Sequence, residues 1–278
     1  MAVPPPTDPG FLDPQLPDQP VAPPPPLAAV QVIQQSDVDL IDVVLIVIAA
    51  LASTIIAAVL AIIAVESISH SRTFNLEQMT TSAFFVIPTQ FLSYIIVVGF
   101  MAFLASVRHN QSLGQAVHWK PPVGKLALAA MGAGATLGIG SDVASTLLER
   151  WTPKSLPIEH FFTGPASGYL LAAFGVLVAP VVEELFFRGF LYPALARWTG
   201  SVASILITAA AFASLHGAQL AYAWAPLLVL FVVGAVLTTI RARTGSVATC
   251  VLVHMGYNLV LFILLFFGTG GFHHMERA

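Results

Sequence analysis

The stretch APVVEELFFRGFLYPAL, residues 179–195, places two adjacent carboxylates and an arginine inside a hydrophobic run. Its charged residues Glu183, Glu184 and Arg188 have Val, Leu and Phe as neighbours. An ionisable side chain at membrane depth is costly, so such groups face the interior of a helix bundle and find partners there. We therefore interpret the run as a transmembrane helix whose polar face has a function.

The composition indicates that most of the chain lies in lipid. Of the 278 residues, 57% are hydrophobic and only 9% are charged, against about 25% charged in a soluble domain. Apolar stretches of about 20 residues can each cross the hydrocarbon core as a helix. We predict an all-α fold, a polytopic membrane helix bundle of about seven (six to eight) transmembrane helices. The predicted spans are 40–64, 83–107, 124–147, 167–191, 201–219, 222–240 and 246–267.

Three regions follow from this pattern. Residues 1–36 contain eleven prolines and no lysine or arginine, which is typical of a disordered, polyproline-like tail. Residues 37–270 form the predicted transmembrane domain, with the functional core at about 167–267. Residues 271–278 form a C-terminal tail. The start of the chain lacks the basic and apolar regions of a signal peptide, so we expect the first span to be retained.

Lysines and arginines near the span ends predict the orientation, because cytoplasmic loops carry more of them. With seven spans, the side of the N-terminus has Arg108, Lys120, Lys125, Arg197, Arg241 and Arg243, and the opposite side has Arg72, Arg150, Lys154 and Arg277. We expect an integral protein of a bacterial-type cell membrane with a cytoplasmic N-terminus. No basic patch suggests a nucleic-acid partner.

The third predicted span contains a run of small residues, MGAGATLGIG at 131–140. Small residues allow two transmembrane helices to approach closely. No lysine follows the run, as a phosphate-binding loop would require. We expect this stretch to serve helix packing.

Polar residues at membrane depth occur at two further places in the C-terminal half. His216 lies in AFASLHG, and His254 with Asn258 lies in VLVHMGYN. A helix bundle assembles a polar pocket from side chains on facing helices. We expect these residues to converge with Glu183 on one pocket.

Helical spacing assigns different roles to the two glutamates. Glu184 and Arg188 are four residues apart and can pair on one face of the helix. Glu183 lies about 100° around the helix, so it is the carboxylate freer to face a cavity. Phe212 and His216 repeat the spacing of four, which places the aromatic ring against the imidazole.

A glutamate, two histidines and an asparagine in a water-excluded pocket fit hydrolysis, in either of two versions. In one, Glu183 takes a proton from a water that His216 also holds, while His254 and Asn258 donate to the developing oxyanion. In the other, Glu183, His216 and His254 bind a divalent metal such as Zn²⁺, which acidifies the water. The spacing fits no H-E-x-x-H zinc motif, and the residues do not decide between the versions.

The three motifs, Pro180-x-x-Glu183-Glu184-x-x-x-Arg188, then Phe212-x-x-x-His216, then His254-x-x-x-Asn258, resemble in order and spacing those of the CPBP intramembrane proteases. That family includes the type II CAAX prenyl endopeptidases and bacterial abortive-infection and immunity proteins. The resemblance covers roughly residues 167–267. It implies a membrane endopeptidase in which Glu183 activates the water with His216, and His254 and Asn258 form the oxyanion site.

The resemblance leaves the substrate open among a prenylated CAAX protein, a peptide and another membrane protein. The partners implied are membrane lipid and a protein or peptide substrate, and the oligomeric state is open. Two other functions compete with proteolysis. A non-catalytic scaffold or immunity-type protein would keep the polar cluster for packing, and an ion-coupled transporter would use it to relay protons. The missing inverted repeat argues against the transporter.

Overall fold

The structure is a computed structural model that describes residues 1–2, 37–68, 79 and 81–274. Across these residues it is a helix bundle with no strand, which confirms the predicted fold class. Six helices are long and apolar enough to cross a membrane. They are α1 Leu40–Ile68, α2 Ala83–His109, α3 Lys125–Leu147, α4 Pro165–Leu215, α5 Trp224–Thr244 and α6 Val247–Gly268. Most of the predicted N-terminal tail, residues 3–36, and residues 275–278 of the C-terminal tail lie outside the described residues.

Helix α4, at 51 residues, joins the fourth and fifth predicted spans. Gly200 interrupts it with φ 75° and ψ 171°, a positive φ that glycine adopts without steric cost. The rings of Phe187 and Phe212 lie 5.3 Å apart on opposite sides of this interruption, whereas a straight helix would separate them by about 37 Å. The chain therefore reverses at Gly200. Residues 165–199 and 201–215 are two arms of one helical hairpin, which matches the predicted separation into two spans.

Short helices connect the long ones. Leu113–Ala116 begins with a capping box in which Ser112 and Gln115 bond each other's backbone. The predicted connector 148–166 contains two 3₁₀ turns, Glu149–Trp151 and Pro157–Phe161. These turns satisfy backbone groups where prolines prevent a continuous helix.

Helices α3 and α6 are in close contact through glycines. A Cβ atom on Gly134 would lie 1.9 Å from the carbonyl oxygen of Val253. One on Gly256 would lie 2.3 Å from the carbonyl oxygen of Met131. The small-residue stretch 131–140 therefore packs as expected, and it fixes the helix that carries His254.

Arg241 differs from an exposed charge at the end of a span. The sequence places it at a span end, but it lies inside the last part of α5 and is 0% exposed. It is a buried side chain bonded to backbone carbonyls, so it does not belong among the loop charges. The predicted orientation stays a prediction.

Candidate active site

The first arm of α4 carries the two glutamates between two π-helical segments, Phe174–Val178 and Leu185–Leu191. A single α-helical segment, Ala179–Glu184, separates them. A π-helical turn closes hydrogen bonds from residue i to residue i+5 and often occurs at functional sites. The rotation of both glutamates about the helix axis therefore depends on these two segments.

Pro180 leaves one carbonyl of the first π-helical segment without a backbone donor. The backbone N–H of Ala179 donates to the carbonyl of Phe174, five residues earlier. The next carbonyl, that of Gly175, would need an N–H from Pro180, which has none. A side chain supplies the donor instead, because Nδ2 of Asn258 lies 2.6 Å from the Gly175 oxygen. Asn258 thus ties α6 to the helix of the glutamates.

The predicted pair between Glu184 and Arg188 is present. Both side chains are fully buried, and Nη1 of Arg188 donates to Oε1 of Glu184 at 2.8 Å. The other guanidinium nitrogens donate to Gly234 O at 2.9 Å and Thr238 Oγ1 at 3.3 Å on α5. Oε2 of Glu184 is buried and has no partner among the described residues. The pair connects the first arm of α4 to α5.

His254 joins the same carboxylate. Its Nδ1 lies 2.9 Å from Oε1 of Glu184, and the ring is almost fully buried. An ionised carboxylate only accepts hydrogen bonds, so Nδ1 carries the proton. In neutral His254 the lone pair is then on Nε2. Glu184 is therefore more than the partner of Arg188, since it also fixes the tautomer and orientation of His254.

His216 terminates the second arm of α4. Its Nδ1 lies 3.0 Å from the carbonyl oxygen of Phe212, which can only accept, so Nδ1 carries a proton and, in the neutral ring, Nε2 holds the lone pair. The imidazole is half-buried. This geometry leaves Nε2 available to accept a hydrogen bond.

The ring of Phe212 contacts the functional groups of all three motifs. Its centroid lies 5.0 Å from that of His216, 5.8 Å from that of His254 and 4.8 Å from Cζ of Arg188. The ring is buried. The structure thus places Phe212 against His216, as the spacing predicts, and also against the third motif.

Glu183 is half-buried, and its carboxylate makes no hydrogen bond or ion pair with the described residues. Its carboxylate lies within electrostatic range of the Tyr94 hydroxyl on α2. An apolar groove between α2 and the first arm of α4 runs beside it, lined by Phe91, Tyr94, Ile95, Val98, Val178 and Val182. No direct contact of Glu183 with either histidine is present in the described part of the chain. Its predicted role remains a prediction.

The proposed metal ligands do not form a metal-binding group. Among the described residues, no three His, Cys, Asp or Glu side chains lie where one ion could bind them together. Glu183, His216 and His254 therefore do not fit a three-ligand site in this geometry. Both histidines use Nδ1 for other partners.

Several residues of the site have no clear signal in the sequence. Tyr94 comes from α2, before the region of the motifs, and Thr238 and Gly234 are unremarkable residues of an apolar helix. Buried Ser or Thr in a transmembrane helix often bonds its own backbone, as Thr238 does with Gly234 O at 2.7 Å. The one sequence signal is the spacing of four between Gly234 and Thr238, which places both residues on the same face of α5, where Arg188 bonds them.

The chain was compared with known protein families, curated proteins and solved structures. Residues 165–260 match the family described as Type II CAAX prenyl endopeptidase Rce1-like. The matched region begins with the first arm of α4 and ends in α6, so it contains all three motifs. No curated protein matches the chain, and no solved structure does.

Proposed function

Residues 165–260 identify the chain as an Rce1-like member of the CPBP family of CAAX proteases, and from this premise we propose that it hydrolyses a peptide bond of a membrane-associated substrate through Glu183, His216, His254 and Asn258. The protease class and the integral membrane location follow from the family and the six apolar helices. The substrate proposed is a prenylated protein or peptide of CAAX type.

One observation carries the proposal: residues of all three motifs are in direct contact. Glu184 of the first motif binds His254 of the third at 2.9 Å. Phe212 of the second motif packs on the rings of His216 and His254. Residues distant in sequence therefore surround one buried location, as in sites that helix bundles build from side chains on facing helices.

The water is activated by two acceptors. Glu183 has no partner among the described residues, and His216 presents the lone pair of Nε2 because Nδ1 donates to Phe212. A water that donates one hydrogen to each acceptor directs its own lone pair towards the substrate carbonyl carbon. As the new C–O bond forms, the Glu183 carboxylate takes the proton. It then returns that proton to the leaving amine as the C–N bond breaks.

The oxyanion is stabilised from α6. One N–H of the Asn258 carboxamide is used by Gly175, which fixes the group and leaves the second N–H for the substrate oxygen. His254 donates from Nε2 only in its imidazolium form, since Nδ1 already donates to Glu184. Preorganised donors of this kind stabilise developing charge in a dry site.

An apolar surface lies beside the proposed base. Val178 and Val182 line the groove between α2 and α4 and are one helical turn apart, and Val182 immediately precedes Glu183. Tyr94 lines the same groove. This location suits the apolar portion of a membrane-associated substrate.

Replacement of Glu183 by Gln tests the proposal, because it removes the base and keeps the shape. Protein termini in membranes from cells that contain wild-type protein or Glu183→Gln are compared by mass spectrometry. We expect wild-type-specific termini that disappear in Glu183→Gln and persist in Glu149→Gln, a matched change at an exposed glutamate outside the site. Identical termini in all three, with full rescue of the phenotype by Glu183→Gln, would instead indicate a non-catalytic membrane protein.

A further inference from the structure

Arg241 is a fully buried arginine that the proposed chemistry does not use. It lies on α5 and is 0% exposed. Within the described part of the chain it forms no ion pair, and its Nη1 has no partner. Its Nε donates to the carbonyl oxygen of Arg188 at 3.0 Å, and Nη2 donates to that of Val117 at 3.5 Å. A buried cation without a carboxylate is costly, so its bonds to backbone carbonyls need an explanation.

The explanation lies in the second π-helical segment. At its end the N–H of Tyr192 donates to the carbonyl of Phe187, five residues earlier. The carbonyl of Arg188 would be next, and its donor would be residue 193. Residue 193 is proline and has no N–H. The π register therefore leaves the Arg188 carbonyl without a backbone donor, and Arg241 provides one.

The same relationship occurs at the first π-helical segment. There Pro180 leaves the Gly175 carbonyl without a backbone donor, and Asn258 on α6 donates to it at 2.6 Å. The two free carbonyls lie on either side of the glutamate pair. One is bonded by a side chain from α6 and the other by a side chain from α5. This repetition shows that the contact of Arg241 belongs to the construction of the site.

We propose that Arg241 is a positioning residue for the protease: its bond to the Arg188 carbonyl holds the π-helical segment 185–191 and thereby fixes the side chains of Arg188 and Glu184 that orient His254. The role in catalysis rests on the proposed function, whereas the role in holding the segment does not. Arg241 acts through the backbone and touches no substrate.

The hydrogen-bond pattern provides a specific test by rescue. Arg241→Met removes every donor but keeps a long side chain. Pro193→Ala restores a backbone N–H that can reach the Arg188 carbonyl in the π register. Thermal unfolding in detergent is measured for wild type, for each single variant and for the double variant. Arg243→Met, an exposed arginine on the same helix, is the matched control.

We expect Arg241→Met to lower the midpoint by several degrees, and Pro193→Ala to recover part of that loss. Recovery is partial because the Val117 carbonyl still lacks its donor. In the wild-type background Pro193→Ala should give no comparable gain, and Arg243→Met should unfold like wild type. If Arg241→Met yields no folded protein, recovery of folded protein in the double variant becomes the measurement. Equal effects of Pro193→Ala in both backgrounds would overturn the proposal.

The catalytic consequence is measured with a farnesylated peptide that ends in a CAAX sequence. We expect Arg241→Met to lower kcat by about tenfold and to leave KM within about twofold, and the double variant to regain most of the kcat. Loss of kcat without rescue would overturn the positioning role. If wild type and Glu183→Gln both fail to cleave, the proposed function fails, and the unfolding measurement still decides how Arg241 acts on the segment.

Discussion

The Nδ1 atom of His254 lies 2.9 Å from Oε1 of Glu184, the same oxygen that Arg188 reaches at 2.8 Å. One carboxylate oxygen thus accepts from an imidazole and a guanidinium on two different helices. The carboxylate of Glu183, the residue immediately before Glu184, has no such partner among the described residues. The two adjacent glutamates therefore differ in their surroundings, and the effect of replacing each one can be measured.

Replacement by glutamine should affect activity at Glu183 and stability at Glu184. Glu183→Gln should leave the folded protein intact and abolish cleavage. Glu184→Gln should destabilise the protein by about 3–5 kcal/mol, because Arg188 would lose its buried counter-charge. Size-exclusion profiles and thermal midpoints in detergent measure the difference. Equal stability of the two variants would show that the pair with Arg188 does not hold the helices together.

Arg188 should tolerate neither removal nor conservative exchange. Arg188→Met removes the guanidinium from Glu184, whose buried carboxylate then keeps only the hydrogen bond with His254, at a cost of about 3–5 kcal/mol. Arg188→Lys can reach the carboxylate but not also Gly234 and Thr238, since lysine lacks the fork of nitrogen donors. We expect folded yield to decrease in the order wild type, Lys, Met. A Met variant as thermostable as wild type would contradict the assigned role of the pair.

Close contact between α3 and α6 should be sensitive to one methyl group. Gly134→Ala places a Cβ atom against Val253 O, so α6 must shift, at a cost of about 1–3 kcal/mol. Activity should fall as well, because Val253 precedes His254. Gly132→Ala is the control, since nothing lies within 4 Å of its added Cβ, and alanine favours the helix by up to about 1 kcal/mol. Similar unfolding of the two variants would refute the packing argument.

Acid should destabilise the protein through His118, which lies in the loop between α2 and α3. Burial lowers the pKa of His118, and the positive charges of Arg241 and Lys120 lower it further. Below about pH 6.5 the unfolded chain binds this proton first, so folding stability decreases as the pH falls.

The measurement compares thermal midpoints at about pH 7.5 and about pH 5.5. His118→Asn should reduce the decrease, and asparagine suits the positive φ of 57° at this position. An identical decrease in wild type and His118→Asn would assign the acid sensitivity to other groups.

The spacing of residues on single helices was readable from the sequence. The bond between Glu184 and Arg188 and the contact of Phe212 with His216 both follow from a separation of four residues. The ends of the membrane-spanning helices were also predictable from the sequence, because each apolar run is little longer than the length needed to cross the membrane. Sequence patterns therefore predicted what one helix determines by itself.

Contacts that depend on π-helical register were not predictable in the same way. Pro180 and Pro193 indicate that carbonyls upstream lack donors, but an α-helical turn and a π-helical turn release different carbonyls. The partners Asn258 and Arg241 then depend on how α5 and α6 pack. For this reason the sequence suggested Asn258 only as an oxyanion donor and Arg241 only as a charge at a span end.

The reversal at Gly200 determines how the first two motifs meet. The two motifs lie on the two arms that Gly200 joins. The position of this bend therefore determines where the glutamates lie along the arm that carries His216. Extra residues inserted at that bend would displace the acid relative to the imidazole without altering either motif. The third motif, carried by a separate helix, would keep its place against the glycines of α3.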